Sequence, residues 1–274
     1  MLFCLLGAHQ ATMREWVEIM VSGDSEASSE FELWDLIRNP DKGLARDFYD
    51  NVLLPSFTRD ELIPREELEE ALTPMQGMEA SILLALDGSQ NVVGGVAAEW
   101  YRRSRVLLVS YLAVRPSCRG SGIGSRLGKV VPEWVRERSP LLTVGEVEPP
   151  NRIDIATDHG DPIARLRLFS RWQGNVLRMP FLQPRLAPDR QRVPLLLVAF
   201  YLNPAASRRE GNDVLFSSAV LASFLDEYFA ACEGEGREFM KDPEYVRLQN
   251  FLRSSQLVLA VPISDYLEVH GLGP

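Results

Sequence analysis

Three glycines at alternate positions, Gly120, Gly122 and Gly124, stand between a strand that ends at Val114-Arg115-Pro116 and a helix that opens at once. At the start of a helix several backbone N–H groups lack partners, and the aligned peptide dipoles add positive potential. Glycine lets an anion come close to that backbone, so Arg119-Gly120-Ser121-Gly122-Ile123-Gly124 reads as a cradle for a pyrophosphate. Arg119, at the entrance, can pair with phosphate or hold the turn. Spacing separates the known loops of this kind. A dinucleotide fingerprint needs glycine or alanine where Ser125 or Leu127 stands, and a Walker loop needs glycine at Ile123 and a hydroxyl residue at Val130. Both therefore fall away.

Around the loop the hydrophobic periodicity changes type. Phe31 to Leu36 alternates as a strand, Leu44 to Leu54 and Asp60 to Leu72 have helical spacing, and Ser81 to Leu86 and Val92 to Trp100 are strands joined by a turn at Asp87 to Asn91. Val106 to Val114 is the next strand. Gly122 to Arg138 is a helix with an apolar stripe that Pro132 should kink. Leu141 to Val147 and Val193 to Leu202 are strands, with Pro162 to Trp172 a helix between them. Later, Val214 to Cys232 and Pro243 to Arg253 read as amphipathic helices, and Leu257 to Pro262 as a short strand. The sum is an α/β (α+β) fold. Before it lie a helix candidate at Met13 to Val21 and a polar stretch, Ser22 to Glu30, of linker character.

Composition narrows the partners. The chain has 29 basic and 38 acidic residues, a net charge of −9, which disfavours nucleic acid and favours a cationic or neutral small substrate. Cys4, Cys118 and Cys232, like His9, His159 and His270, are scattered, so neither a metal site nor a disulfide framework is expected and a reducing cytoplasm fits. No apolar run reaches the roughly 20 residues of a membrane span. Met1 to Leu6 lacks the basic lead of a signal peptide, and export is not expected.

Ser110-Tyr111-Leu112-Ala113-Val114-Arg115-Pro116, followed by Arg119-Gly120-Ser121-Gly122-Ile123-Gly124-Ser125-Arg126-Leu127, resembles the acyl-CoA signature of the GNAT acetyltransferase superfamily, Arg/Gln-x-x-Gly-x-Gly/Ala. The resemblance implies a mixed, mostly antiparallel sheet flanked by helices and splayed between its fourth and fifth strands. It divides the chain into an N-terminal segment at 1–29, an acyltransferase domain at 30–202 and a C-terminal helical extension at 203–274, with dimerisation through those helices left open. It implies acetyl-CoA or another acyl-CoA as co-substrate, held by Leu112, Ala113, Val114 and the loop from Arg119 to Ser125, and transfer of the acyl group to an amine of a small molecule or peptide. No metal is required.

The same resemblance exposes two departures. Relatives of the histone-acetylase type place a general-base glutamate where Leu108 stands, which leaves Glu146, Glu99 and Glu148 as candidate bases, Glu146 first because it sits on the fifth strand near the splay. The tyrosine that usually protonates the departing thiolate is replaced by Phe169, so Tyr111, Ser170, a water or no acid at all remains. An alternative reading is a CoA-binding or regulatory module with weakened catalysis. Phe169, Trp172 and Phe181 also weakly suggest a larger acyl group, although core packing is the expectation for such aromatics.

Overall fold

A computed structural model describes residues 31–72, 79–150, 162–211, 213–234 and 236–272. The helix and polar stretch expected before Phe31 lie outside these residues, as do Cys4, His9 and His159. Among the described residues one sheet is built from β1 (Glu32–Asp35), β2 (Glu79–Leu86), β3 (Val92–Tyr101), β4 (Val106–Val114), β5 (Leu142–Val147), β6 (Asn175–Leu177), β7 (Leu196–Leu202), β8 (Ser207–Glu210), β9 (Asp213–Ser217) and β10 (Leu257–Pro262). Their order across it is β1-β2-β3-β4-β5-β7-β6-β10-β9-β8. The β4–β5 pair is parallel and the others are antiparallel. The fold is thus mixed α/β with a mostly antiparallel sheet.

Helices cover both faces. On one lie α1 (Lys42–Phe48, running on as a wider turn through Leu53), α2 (Arg65–Glu70), α6 (Ser218–Glu233) and α7 (Pro243–Ser254); on the other lie α3 (Ile123–Gly128), α4 (Val131–Arg138), α5 (Pro162–Arg171) and α8 (Ile263–Val269). Alternation along the strands decides which residues meet which layer. Val96, Ala98, Val109 and Val198 pack with Ile123, Leu127 and Trp134, whereas Ala97, Tyr111 and Ala113 pack with Phe48 and Val52. Leu108, Val144 and Leu197 meet Phe224 and Tyr228. Each fully buried Leu or Phe of these layers contributes about 1.5–3 kcal/mol.

Local chemistry sets the boundaries. Asp41 caps α1 by accepting from the N–H groups of Gly43 and Leu44 at 2.7 and 3.0 Å. The Asp87 carboxylate accepts from Ser89 and Asn91, both at 2.9 Å, and closes the β2–β3 turn.

Four sequence expectations need correction. The helix expected at Asp60 to Leu72 shrinks to α2 plus one short turn at Arg59–Glu61, because the turn that the Thr58–Glu61 capping box opens stops at an extended Leu62, and Pro64 is extended as well. The kink expected at Pro132 is a break into α3 and α4, since proline at the second position of a helix starts it afresh. Val193 pairs singly with Gln183, so β7 begins only at Leu196. The helix expected from Val214 starts at Ser218: Asp213 to Ser217 pair with β10 and β8, and the Ser217 hydroxyl accepts from Val220 N to cap α6. Residues beyond 203 therefore add strands as well as helices, β8 and β9 included, to the same sheet.

Trp172 fixes how α3 sits. A methyl group on Gly128 would lie 2.3 and 2.4 Å from the indole carbons Cζ2 and Cη2. In Gly128→Ala, overpacking of about 1–3 kcal/mol outweighs the ~1 kcal/mol gained in helix propensity. A urea unfolding curve should show a lower midpoint at an unchanged slope.

Candidate acyl-transfer site

The sheet opens beside the glycine loop. β4 and β5 pair from Val106–Leu142 to Val109–Gly145 and no further, although β4 continues to Val114 and β5 to Val147. A bulge starts the divergence: Ala98 lies opposite Val109 but Ala97 opposite Tyr111, so Ser110 is the extra residue. β5 turns to β7, where Glu146 and Val147 face Leu197 and Leu196. On the other strand, Arg115 N–H donates to Val93 C=O at 2.9 Å, and antiparallel alternation then directs the backbone groups of Leu112 and Val114 away from β3, into the gap. Ala113 points its backbone to β3 instead.

The loop continues that edge. Gly120 and Gly122 have φ of +80° and +82°, a left-handed backbone that only glycine adopts without strain, and open space surrounds both. Among the described residues, the backbone N–H groups from Gly120 to Ser125 have no hydrogen-bond acceptor. Arg119 is engaged elsewhere: its guanidinium donates to Ser56 Oγ at 3.1 Å and to the carbonyls of Val114 and Pro55 at 3.4 and 3.5 Å. Of the two roles open to it, holding the turn is the one its geometry serves. Ser121 Oγ donates to Cys118 C=O at 2.6 Å, tightening the same turn, and Ile123 is buried as the first anchor of α3.

Two hollows meet at the gap. On the α3–α5 face a narrow pocket is lined by Val109, Leu112, Gly145, Phe169, Trp172 and Phe200. On the opposite face a cavity of about 790 Å³ lies between α2 and α6, with Glu99, Tyr111, Gln183 and Tyr228 in its wall. Ser110 and Glu146 line both.

Glu146 is the carboxyl that stands where the two hollows meet. Its carboxyl accepts from Gln183 Nε2 at 2.9 Å and from the Tyr228 hydroxyl at 3.1 and 3.2 Å. Burial pushes it up to about 8, against these hydrogen bonds and with Glu99 adding to the rise. Glu99 lines the same cavity and accepts from the Tyr101 hydroxyl at 2.7 Å; burial raises it as well. Tyr111 does something different. Its hydroxyl donates to Glu61 C=O at 3.3 Å and accepts from Ile63 N–H at 3.1 Å, so it pins the turn before α2. Phe169 is core, edge-on to Phe200 at 4.9 Å, as is Trp172.

Sequence reasoning missed Tyr228 and Gln183. Neither belongs to a local motif, and each reaches Glu146 only through the tertiary fold. The segment bearing Gln183 is locked to α6 and α7 by Arg192, whose side chain is 3% exposed and donates to Glu233 at 2.7 and 2.8 Å, to Asp242 at 2.6 Å and to Glu244 at 3.2 Å. Among the described residues, no cluster of His, Cys, Asp and Glu is placed to hold a metal, and no helix is long and apolar enough to cross a membrane.

Among the described residues, the amides without acceptors from Gly120 to Ser125 thus lead into a sheet gap with a cavity beyond it. Residues 45–175, a little under half of the chain, match the family model described as acetyltransferase (GNAT) family, a match that supports the GNAT superfamily and acyl transfer as the general chemistry. Among solved structures, a GNAT-family protein from Bacteroides thetaiotaomicron aligns at 16% identity over 63% of this chain and 87% of its own, with a TM-score of 0.45. An acetyltransferase from Streptococcus agalactiae aligns at 12% identity over 62% and 98%, TM-score 0.45. The ribosomal-protein-S18-alanine N-acetyltransferase from Escherichia coli aligns at 11% over 63% and 96%, TM-score 0.42. No curated protein sequence matches the chain.

The Glu146 carboxyl has a consequence for stability. Unfolded, it loses its proton near its ordinary 4.5; folded, near 8. Between those values the folded state binds more protons, so this group lowers stability progressively as pH rises through the window. Glu146→Gln should therefore raise the melting temperature more at pH 8 than at pH 5, and equal gains at both would refute the assignment.

Proposed function

We propose that the protein is an N-acyltransferase that moves an acetyl or other acyl group from acyl-CoA to an amine. The observation that carries this reading is the junction at Ser110 and Glu146, where the pocket beside the splayed strands meets the large cavity. The chain fits an acyl-CoA by its own features: acceptor-less amides from Gly120 to Ser125 suit a pyrophosphate, and the gap-facing backbone of Leu112 and Val114 suits a pantetheine arm laid along β4. Such a molecule supplies an activated thioester.

The residues then divide the work. The acceptor amine, in the cavity, must be unprotonated to form its bond to the acyl carbon as the carbon–sulfur bond breaks. Glu146 takes that proton, directly or through a water, and Glu99 lies in the same wall as a second acceptor. Tyr228 and Gln183 hold the Glu146 carboxyl in place and stabilise its charged form. The sulfur leaves as a thiolate, which needs less help from an acid than an amine would, so Phe169 in place of a tyrosine is compatible with turnover.

Acetyl-CoA should raise the melting temperature. Gly122→Glu, which puts a carboxylate and bulk into the loop, should abolish the shift, while Gly122→Ala, strained alike at its positive φ by roughly 1–2 kcal/mol but uncharged, should retain most of it. A thiol-release assay then tests turnover. Its kcat/KM should rise with pH along a limb near 8, fall by 10²-fold or more in Glu146→Gln, and move to higher pH in Tyr228→Phe, which removes a hydrogen bond favouring the ionised carboxyl. A limb unmoved by Tyr228→Phe would show that Glu146 is not the group being titrated.

A further inference from the structure

The cavity is larger than a single reacting amine requires. Its volume of about 790 Å³ lies in the range of pockets that enclose drug-sized ligands, roughly 300–1,000 Å³. Its charge is one-sided. Glu61, Glu67, Glu70, Glu79, Glu99 and Glu146 line it, against Arg102 and Arg138 alone.

Both cations are already engaged. Arg102 and Arg138 contact the Glu79 carboxylate, and Arg138 also contacts Glu137. Of the carboxylates, Glu61 is closed into its capping box with Thr58, and Glu99 and Glu146 are hydrogen-bonded at the reacting end. Glu67 and Glu70 are different. They stand three residues apart on α2, exposed at the cavity, where each repels the other. The cations on and around α2 turn elsewhere: Lys42 and Arg46 to Glu69, Arg65 to Asp50, and Arg59 to Asp189. Arg190 is paired with Asp189 and acts on Glu67 only through space. Among the described residues no ion pair reaches Glu67 or Glu70.

A second observation comes from the wall beside Glu146. Gln183 is 4% exposed, and while its Nε2 donates to Glu146, its Oε1 has no hydrogen-bond partner. An orphaned buried acceptor costs about 1–3 kcal/mol unless something donates to it. The atom has under 1 Å² of exposed surface, so an amine N–H at Glu146 meets it only after the amide turns toward the cavity that Gln183 lines.

We propose, on the basis of the acyl-transfer reading, that the acceptor is an extended oligoamine. One nitrogen is presented to Glu146, beside Gln183, and a second, still protonated, is held by Glu67 and Glu70 on the α2 wall of the same cavity. A substrate bearing a carboxylate beside its amine is disfavoured, because six carboxylates line the cavity against two guanidiniums, both of which already contact Glu79. The α2 carboxylates act on affinity, and the Glu146 end acts on the proton.

The test uses α,ω-diaminoalkanes of three to eight carbons beside the 1-aminoalkanes of the same lengths. Calorimetric titration at low ionic strength should give at least one diamine that binds ten-fold or more tighter than its monoamine. The paired variant Glu67→Gln, Glu70→Gln should collapse that ratio, and Glu66→Gln, on the same helix but outside the cavity, should keep it. With acetyl-CoA present the loss should appear in KM and not in kcat. Equal affinity for diamines and monoamines throughout, or a ratio untouched by the paired variant, overturns the proposal. Diamine selectivity that collapses in the paired variant without any thiol release would support the oligoamine site and count against acyl transfer itself.

Discussion

Everything at the candidate site depends on the parting of β4 from β5 after Val109 and Gly145. A strand interior normally has both rows of backbone groups paired, because an unpaired buried amide costs free energy comparable to a lost hydrogen bond. Here the bulge at Ser110 tilts β4 away while β7 takes over the other side of β5. The result is a short internal edge in the middle of a wide sheet. Edges attract extended ligands for the same reason that they attract other strands. This one is continuous with the loop of free amides at Gly120 to Ser125, so a single molecule could satisfy both.

The gap also joins two environments that the sheet would otherwise separate. On the α3–α5 face the lining is apolar and aromatic, from Phe169, Trp172 and Phe200; on the other it is a cavity rich in carboxylates. Glu146 stands at the boundary, and burial holds its proton to about 8. Tyr228 and Gln183 counter that effect only in part. The balance leaves the group titrating close to neutral pH, where a carboxyl can exchange protons.

Much of this was legible in the sequence, and what was not shares one physical reason. The glycine loop, its flanking strand and the helices of α1, α5 and α7 carry their signals within a few consecutive residues. Glu146 could be nominated because strand alternation and position relative to the splay are local properties. Tyr228 and Gln183 could not, since nothing near either residue marks it and their meeting with Glu146 spans 82 and 37 residues. The same limit explains β9. Val214-Leu215-Phe216 suits helix or strand, and pairing with β10, some forty residues on, decided between them. Arg119 shows the converse, for its residue type suggested phosphate while its neighbours Pro55 and Ser56 gave it a structural task.

The separation between Glu146 and Tyr228 has a consequence for the order in which the chain is made. At roughly 5–20 residues per second, Tyr228 emerges roughly 4–16 s after Glu146. Throughout that interval β5 has no α6 above it, and Glu146 sits in water as an ordinary, ionised glutamate. When α6 docks, the carboxyl is enclosed and takes up a proton near neutral pH. Closing the cavity over the nascent sheet is thus also an act of protonation, and any role that needs the carboxylate begins with release of that proton.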